Sequence, residues 1–121
     1  MRKDLVRGLP VLSVSSDVAM LFTGGEIACV FGGVSQYGQV KEIKKGAETL
    51  IACPGRLIDL MTQGIIFLDQ VECFVLDEAD RMLDMGFLPD IKRIISKLLL
   101  RVKTVLYTTN PVSSVKKSIS V

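Results

Sequence analysis

The stretch CFVLDEADRMLDMG, residues 73–86, decides the fold of this chain. Its first four residues are apolar, as in a buried strand, and the carboxylates of Asp77 and Glu78 follow at once. In an open parallel sheet, ligands bind beyond the carboxyl ends of the strands. We therefore predict a ligand site at these two acids.

An acid pair in this place suits one kind of chemistry. One carboxylate can hold Mg²⁺, directly or through water, while its neighbour orients or deprotonates an attacking water. Positioning and charge neutralisation supply most of the catalysis in phosphoryl transfer. Adjacent acids are also common on protein surfaces, so the indication comes from their position directly after a buried run.

The rest of the chain alternates strand and helix patterns. Apolar runs predict further strands at 26–31, 49–53 and 104–107. Helical spacing predicts helices at 36–45, 54–63 and 87–100. Ser35 is a candidate N-cap for the first helix, and Pro54 suits the first turn of the second. This alternation predicts an α/β fold with a mostly parallel sheet and right-handed crossovers.

The two ends of the chain carry little pattern. Residues 1–24 are the least readable part and are interpreted as either a helix near 16–22 or a loose segment. Residues 111–121 are polar and predicted to fray, which leaves 25–110 as the readable domain. The start of the chain is basic and then apolar, but its apolar part is too short and too broken by serines for a typical signal peptide.

Composition removes several classes of function. The 121 residues are 49% hydrophobic, enough for one folded domain, and no apolar run is long enough to span a membrane. The chain has no histidine, which excludes a Ser-His-Asp triad and His-ligated metal sites. Cys29, Cys53 and Cys73 fit neither a zinc site nor a disulfide framework, and we expect buried, reduced thiols in a cytoplasmic or nuclear protein.

Charge is distributed unevenly along the chain. Residues 1–90 carry 8 basic and all 13 acidic residues, whereas residues 91–121 carry 7 basic and no acidic ones. A basic end of this kind is typical either of a nucleic-acid surface or of a solvated helix face followed by a loop.

Three segments carry a recognisable pattern: DEAD at 77–80 followed by RMLDMGF, Gly32 and Gly33 with Gln39 after five further residues, and CPGR at 53–56 followed by LIDLM. Together they resemble the DEAD-box RNA helicase family, and the DEAD segment resembles that family's Walker B segment. Gly32 and Gly33, then five residues and Gln39, resemble its double-glycine segment. CPGR at 53–56, followed by LIDLM, resembles its TPGR segment with cysteine in place of threonine. The resemblance covers about 27–103, roughly two thirds of the chain, and the spacing from CPGR to DEAD also fits.

The resemblance implies a partial RecA-like, three-layer fold of the P-loop NTPase type, with ATP and Mg²⁺ as cofactors. Asp77 would serve Mg²⁺-ATP through water, and Glu78 would position or activate the hydrolytic water. The DEAD residues would form the nucleotide site, namely Asp77, Glu78, Ala79 and Asp80. Asp80 would also couple that site to the segment after the last strand, where the family's SAT segment is matched by Thr108, Thr109 and Asn110.

The resemblance also implies contact with single-stranded or duplex RNA. The residues concerned are Gly32, Gly33, Pro54, Gly55 and Arg56. Glycine lets a backbone approach closely, a helix start offers N–H groups to phosphate, and arginine adds charge. The alternatives are a plain strand-to-helix turn for the glycines and a surface salt bridge to Asp59 for Arg56.

Several parts of the family pattern are absent from the 121 residues. There is no GxxxxGK[ST], so the Walker A strand and loop are missing, as is the second RecA-like domain. LPVLSVSS stands where PTREL is expected, and Asn110 departs from SAT. The family's Walker A strand is expected beside the DEAD strand, so we predict an unpaired edge at 73–76, marginal stability and self-association.

Three interpretations of function follow. The chain is a fragment of an ATP-dependent RNA helicase, whose full-length relatives couple RNA-stimulated ATP hydrolysis to unwinding, and is inactive alone. Alternatively, it is a non-catalytic, truncated or degenerate product with weak binding to RNA or to a helicase partner protein. A receiver-like regulator with Asp77 as phosphoacceptor is the third, and the CPGR and double-glycine matches argue against it.

Overall fold

A computed structural model describes residues 8–15, 27–98 and 102–107. Nine elements follow one another in chain order in this part. They are β1 Val11–Val14, β2 Ile27–Val30, α1 Gln36–Lys44, β3 Thr49–Ala52, α2 Pro54–Thr62, β4 Cys73–Leu76, α3 Ala79–Asp84, α4 Leu88–Ile95 and β5 Lys103–Leu106.

The five strands form one parallel sheet in the order β2-β3-β1-β4-β5. The connections from β2 to β3, β3 to β4 and β4 to β5 all run in the same direction across it. Right-handed crossovers place such connections on one face of a sheet, and α2 and α4 are in contact. The predicted α/β fold with a parallel sheet is confirmed.

Burial alternates along the four strands β1 to β4. In each, the second and fourth residues are buried and the first and third are half-buried. Because paired strands are in register, the buried residues Leu12, Ala28, Leu50 and Phe74 lie side by side on one face. This face packs against α2 and α4 residues such as Leu57 and Ile91 and forms the core.

Local signals explain where the helices begin and end. The Ser35 hydroxyl accepts a hydrogen bond from the Tyr37 N–H at 3.2 Å, so the predicted N-cap of α1 is confirmed. Gly46, with a φ of 110°, occupies a left-handed position after α1. Pro54 opens α2 as predicted, where its missing N–H removes no helical hydrogen bond.

Strand β1 lies in the segment that showed least pattern. We predicted a helix or a loose chain within 1–24, but Val11–Val14 is the central strand, paired with both β3 and β4. Ser13 interrupts its apolar run, and the serines after it are typical of a loop. The candidate helix near 16–22 lies outside the described residues.

The predicted unpaired edge at 73–76 is wrong. Strand β4 pairs with β1 on one side and β5 on the other, so within the described residues the sheet edges are β2 and β5. Strand β5 is also more exposed than the others, with Lys103 and Thr104 open to solvent. The expectation of self-association therefore depends on β5, since an open edge strand can pair with another chain.

Two helix predictions need correction. A short helix, α3, begins inside the DEAD segment at Ala79, where no helix was predicted. Helix α4 spans Leu88–Ile95 rather than 87–100, and Ser96 is its C-cap. Pro89 and Asp90 lie in its first turn.

The cysteines are free, as expected, but half-buried rather than buried. Burial raises the pKa of the Cys29 thiol above its ordinary value, which favours the protonated, unreactive form. None of the helices in the described ranges is long and apolar enough to cross a bilayer.

Candidate functional site

The carboxyl edge of the sheet brings the predicted site segments together. Hydrogen bonds continue the sheet one residue past the strands: Cys53 N–H donates to the Val30 carbonyl at 3.0 Å, and Asp77 N–H donates to the Val14 carbonyl at 2.9 Å. Tyr107 N–H likewise donates to the Leu76 carbonyl at 3.0 Å. The double glycine, the CPGR segment and the DEAD segment (residues 77–80) therefore leave the sheet at the same edge, where parallel sheets bind ligands.

The carboxylate of Glu78 is held from two sides. The Ser15 hydroxyl donates to Glu78 Oε1 at 3.1 Å, and Arg81 Nη1 donates to Glu78 Oε2 at 3.3 Å. Ser15 is buried and follows β1, whereas Arg81 is exposed on α3. The neighbouring Asp77 is exposed to solvent directly after β4. The carboxylate of Glu78 is therefore fixed by hydrogen bonds, whereas the carboxylate of Asp77 is open to solvent.

Glu78 also has an unusual backbone conformation. Its φ of 52° and ψ of 45° are left-handed, and it is the only non-glycine residue with positive φ among those described. This conformation costs an L-residue about 1–2 kcal/mol. Strain of this kind persists where surrounding structure enforces it and clusters at functional sites. Here the sharp turn from β4 into α3 enforces it.

We expect Glu78→Gly to be more stable than Glu78→Ala by about 1 kcal/mol in urea denaturation. Both variants lose the contacts with Ser15 and Arg81, so their difference isolates the left-handed backbone. At Asp84, which is helical and exposed, the order should reverse, because glycine in a helix costs about 1 kcal/mol relative to alanine. If the two variants at position 78 have equal free energies of unfolding, the backbone of Glu78 is not strained.

The rest of the DEAD segment is tied to the neighbouring strand. The Ala79 N–H donates to the Tyr107 carbonyl at 3.1 Å, which connects the start of α3 to the residue after β5. Ala79 is buried, and Asp80 lies half-buried in the first turn of α3, where a negative charge complements the helix dipole. The predicted coupling residues Thr108, Thr109 and Asn110 lie outside the described residues.

The glycine loop (residues 32–34) is anchored by Gln39. This buried side chain accepts a hydrogen bond from the Phe31 N–H at 3.2 Å and donates one to the Phe31 carbonyl at 3.1 Å. It therefore binds the backbone just before Gly32 as a neighbouring strand would. The sequence marked Gln39 only as part of a pattern and did not predict this role.

The two glycines of this loop are not equivalent. Gly33 has a φ of 88°, which a turn alone explains. Gly32 does not have positive φ, and a Cβ added there would meet nothing within 4 Å. The turn interpretation thus accounts for Gly33 but not for Gly32, whose missing side chain leaves the backbone open to a close approach.

Arg56 braces the same loop from α2. Its Nη2 donates to the Val34 carbonyl at 2.8 Å, and its Nη1 donates to Gln39 Oε1 at 3.2 Å. The alternative interpretation, a salt bridge to Asp59, is not what the structure has. The predicted RNA segments are therefore one connected unit.

The start of α2 is exposed beside this unit. Pro54 is buried, whereas Gly55 is exposed and has nothing within 4 Å of an added Cβ. The side chain of the N-cap, Cys53, makes no capping hydrogen bond. Glycine weakens a helix, so an unobstructed glycine in the first turn is better explained by ligand approach than by helix stability.

The carboxylates at this edge suit Mg²⁺ rather than a protein-caged metal. No cluster of three or more candidate ligands occurs in the part of the chain that the structure describes. Mg²⁺ is ordinarily bound through one or two carboxylates together with substrate phosphates, and an exposed Asp77 fits that donor set. Ser15 was not predicted as part of this site, since nothing in its sequence neighbourhood marks it as a partner of Glu78.

A family model of DEAD/DEAH box helicases matches residues 12–118. The chain belongs to the DEAD/DEAH box helicase family. The match begins in β1, so the central strand that the sequence pattern left unassigned is part of the family domain.

Individual relatives agree with this assignment. The chain is 57% identical over 70 residues to a probable ATP-dependent RNA helicase ddx17 of Dictyostelium discoideum, covering 58% of this chain and 9% of the relative. It is 44% identical over 89 residues to DEAD-box ATP-dependent RNA helicase 40 of Arabidopsis thaliana, covering 74% of this chain and 8% of the relative.

A solved structure shows the same fold. A DEAD box protein from Methanococcus jannaschii superposes with a TM-score of 0.78 at 28% identity, over 92% of this chain and 34% of that one. The RecA-like fold is thereby confirmed. The chain spans about a tenth of the length of these two helicase relatives and about a third of the solved protein.

Proposed function

We propose that this chain supplies the DEAD carboxylates and part of the RNA-backbone surface of an ATP-dependent RNA helicase, within its first RecA-like domain. The single observation that carries this proposal is the common edge of the sheet, where Asp77 and Glu78 lie with the glycine loop and the start of α2. The names of the relatives, which are ATP-dependent RNA helicases, support it.

On the nucleotide side, the two acids have separate tasks. Asp77, exposed after β4, would hold Mg²⁺ through water. Mg²⁺, when bound with ATP, neutralises the charge that develops on the phosphates. Glu78 would orient the attacking water, and its fixed carboxylate favours this task because positioning supplies much of the catalysis.

On the RNA side, the unit formed by Gln39, Arg56 and the glycine loop would contact the sugar-phosphate backbone of the RNA. The open approaches at Gly32 and Gly55 suit phosphate and ribose, and such contacts are independent of base sequence. The guanidinium of Arg56 contributes charge while it keeps the loop in place.

Coupling between the two sides would pass through the end of β5. The Ala79–Tyr107 hydrogen bond supports this, since Thr108 follows Tyr107 directly. Asp80 would be the DEAD residue that responds to the 108–110 segment. The asparagine at 110, in place of the family's threonine, is a reason to expect weaker coupling.

A second candidate function applies to the 121 residues taken alone, which do not contain GxxxxGK[ST]. They would bind RNA, a helicase partner protein or a second copy through the β5 edge, without catalysis. RNA binding is required by the first candidate and is one of the three forms of the second, so it is the property to test.

The test is binding of a labelled single-stranded oligo-U to the 121-residue chain at several salt concentrations. Arg56→Ala should weaken binding and reduce the salt slope by about 0.7, one phosphate contact of a single strand. Gln39→Ala should weaken binding with the slope unchanged, because it frees the loop without removing a charge.

The control is the double variant Lys116→Ala/Lys117→Ala, which removes two positive charges from the basic tail, residues 111–121 at the end of the chain. If this control loses binding while Arg56→Ala binds like the parent, the tail and not the proposed surface binds RNA. Binding that depends on base sequence would also count against contacts to the backbone.

A further inference from the structure

A groove outside the site described above runs along α1. Its volume is about 340 Å³, and six described residues line it: Gln36, Tyr37, Val40, Lys41, Lys44 and Ile65. Gln36 also makes two reciprocal amide hydrogen bonds of 2.8 Å with Gln63, the C-cap of α2, and these join the start of α1 to the end of α2. The groove is therefore formed by α1 together with Ile65, which follows α2.

The exposed chemistry of the groove is one aromatic ring and two cations. Tyr37 is 77% exposed, and Lys41 and Lys44 follow it at helical spacings of four and seven, on the same side of α1. None of the six lining residues is acidic. A ring beside a row of positive charges is the arrangement by which proteins bind single-stranded nucleic acid.

We propose that this groove binds single-stranded RNA next to the backbone site, with a base stacked on Tyr37 and phosphates against Lys41 and Lys44. This inference rests on the proposed function and extends it. Tyr37 lies only four residues beyond Gly33 and three beyond Val34, whose carbonyl Arg56 holds. One strand of RNA can thus pass from the glycine loop onto α1.

An apolar peptide fits the groove less well than RNA. Its floor residues, Val40 and Ile65, are only 8% and 6% exposed, so Tyr37 offers nearly all the accessible apolar surface. Peptides that bind helical grooves do so through several apolar anchors. A single exposed ring with flanking lysines suits a base and its phosphates.

Stacking is tested with tyrosine fluorescence. The sequence has two tyrosines, Tyr37 and Tyr107, and no tryptophan. In a Tyr107→Phe background, saturating oligo-U should quench the remaining tyrosine, whereas an abasic ribose-phosphate oligomer of the same length should not. Quenching that is equal for both oligomers, or absent for both, overturns the stacking.

Affinity is tested with labelled oligo-U and three ring variants whose folding is checked by circular dichroism. Tyr37→Ala should weaken binding about tenfold, since stacking on an aromatic side chain contributes about 1–3 kcal/mol per base. Tyr37→Phe keeps the ring and should bind like the parent. Tyr37→Leu keeps apolar area without an aromatic face and should behave like Tyr37→Ala.

The lysines have a matched control on the same helix. Lys41→Ala and Lys44→Ala should each reduce the salt slope by about 0.7. Lys45→Ala should leave it unchanged, because Lys45 does not line the groove and pairs with Glu42 at 3.0 Å.

The outcomes separate this inference from the proposed function. If Arg56→Ala weakens binding but the Tyr37 and lysine variants bind like the parent, the groove proposal is wrong and the backbone site stands. If the parent binds no oligo-U even at low salt, both are wrong. If an acidic peptide quenches Tyr37 and displaces the RNA at lower concentration, the groove is a peptide site and the inference is overturned.

Discussion

The 121-residue chain alone is expected to hydrolyse no ATP above background, with or without RNA. Glu78 is held by Ser15 and Arg81, but it can direct a water to the γ-phosphate only if that phosphate is held in place. The backbone cradle and lysine that do this in P-loop enzymes come from GxxxxGK[ST], which the 121 residues do not contain. A phosphate-release assay with saturating ATP, Mg²⁺ and oligo-U measures the turnover.

A matched pair of variants makes this result decisive. Glu78→Gln removes the proposed water-orienting charge, whereas Asp59→Asn removes an exposed carboxylate on α2 that makes none of the contacts of the acid pair. RNA-stimulated turnover in the parent that survives in Asp59→Asn and disappears in Glu78→Gln would show that the chain is catalytic on its own. Turnover that is unaffected by both would point to a contaminating ATPase.

Leu12→Ala should lower the free energy of unfolding by about 3 kcal/mol and the Tm by roughly 15 °C. Leu12 is fully buried in β1, in register with Leu50 on one side and Phe74 on the other. Truncating it opens a cavity in the core, between the buried face of the sheet and the helices packed against it. Since domains are stable by only about 5–15 kcal/mol, a loss of this size is a large part of the total.

The control is Thr104→Ala on the edge strand β5, where the side chain is exposed and the change should stay within about 0.5 kcal/mol. Circular dichroism melts and urea titrations of both variants give the comparison. If Leu12→Ala is as mild as Thr104→Ala, then β1 is not the central strand of the sheet in solution.

Local sequence patterns were enough for much of the fold. The apolar runs predicted β2 to β5 closely, because a short buried strand needs consecutive apolar residues. Ser35 and Pro54 marked the starts of α1 and α2, since caps and first-turn prolines act on the backbone nearest to them. The DEAD, CPGR and double-glycine segments likewise indicated the family, because each is a short run of residues that can be recognised without its neighbours in space.

These local patterns did not predict which strands, distant from each other in sequence, pair in the sheet. Strand β1 has a serine in its middle and becomes a strand because β3 and β4 take up its hydrogen bonds on both sides. The same reason accounts for the error at β4, whose neighbours come from residues 11–14 and 103–106.

What the amino-acid sequence settled is the chemistry available: which acids, glycines and cations exist, and at which positions of the chain. Only the tertiary structure decided which of these residues contact each other. Ser15 meets Glu78 across 63 positions of chain, and Arg56 meets Val34 across 22. Such contacts depend on the order in which strands lie in the sheet. That order is set by the packing of whole elements, and no local run of residues encodes it.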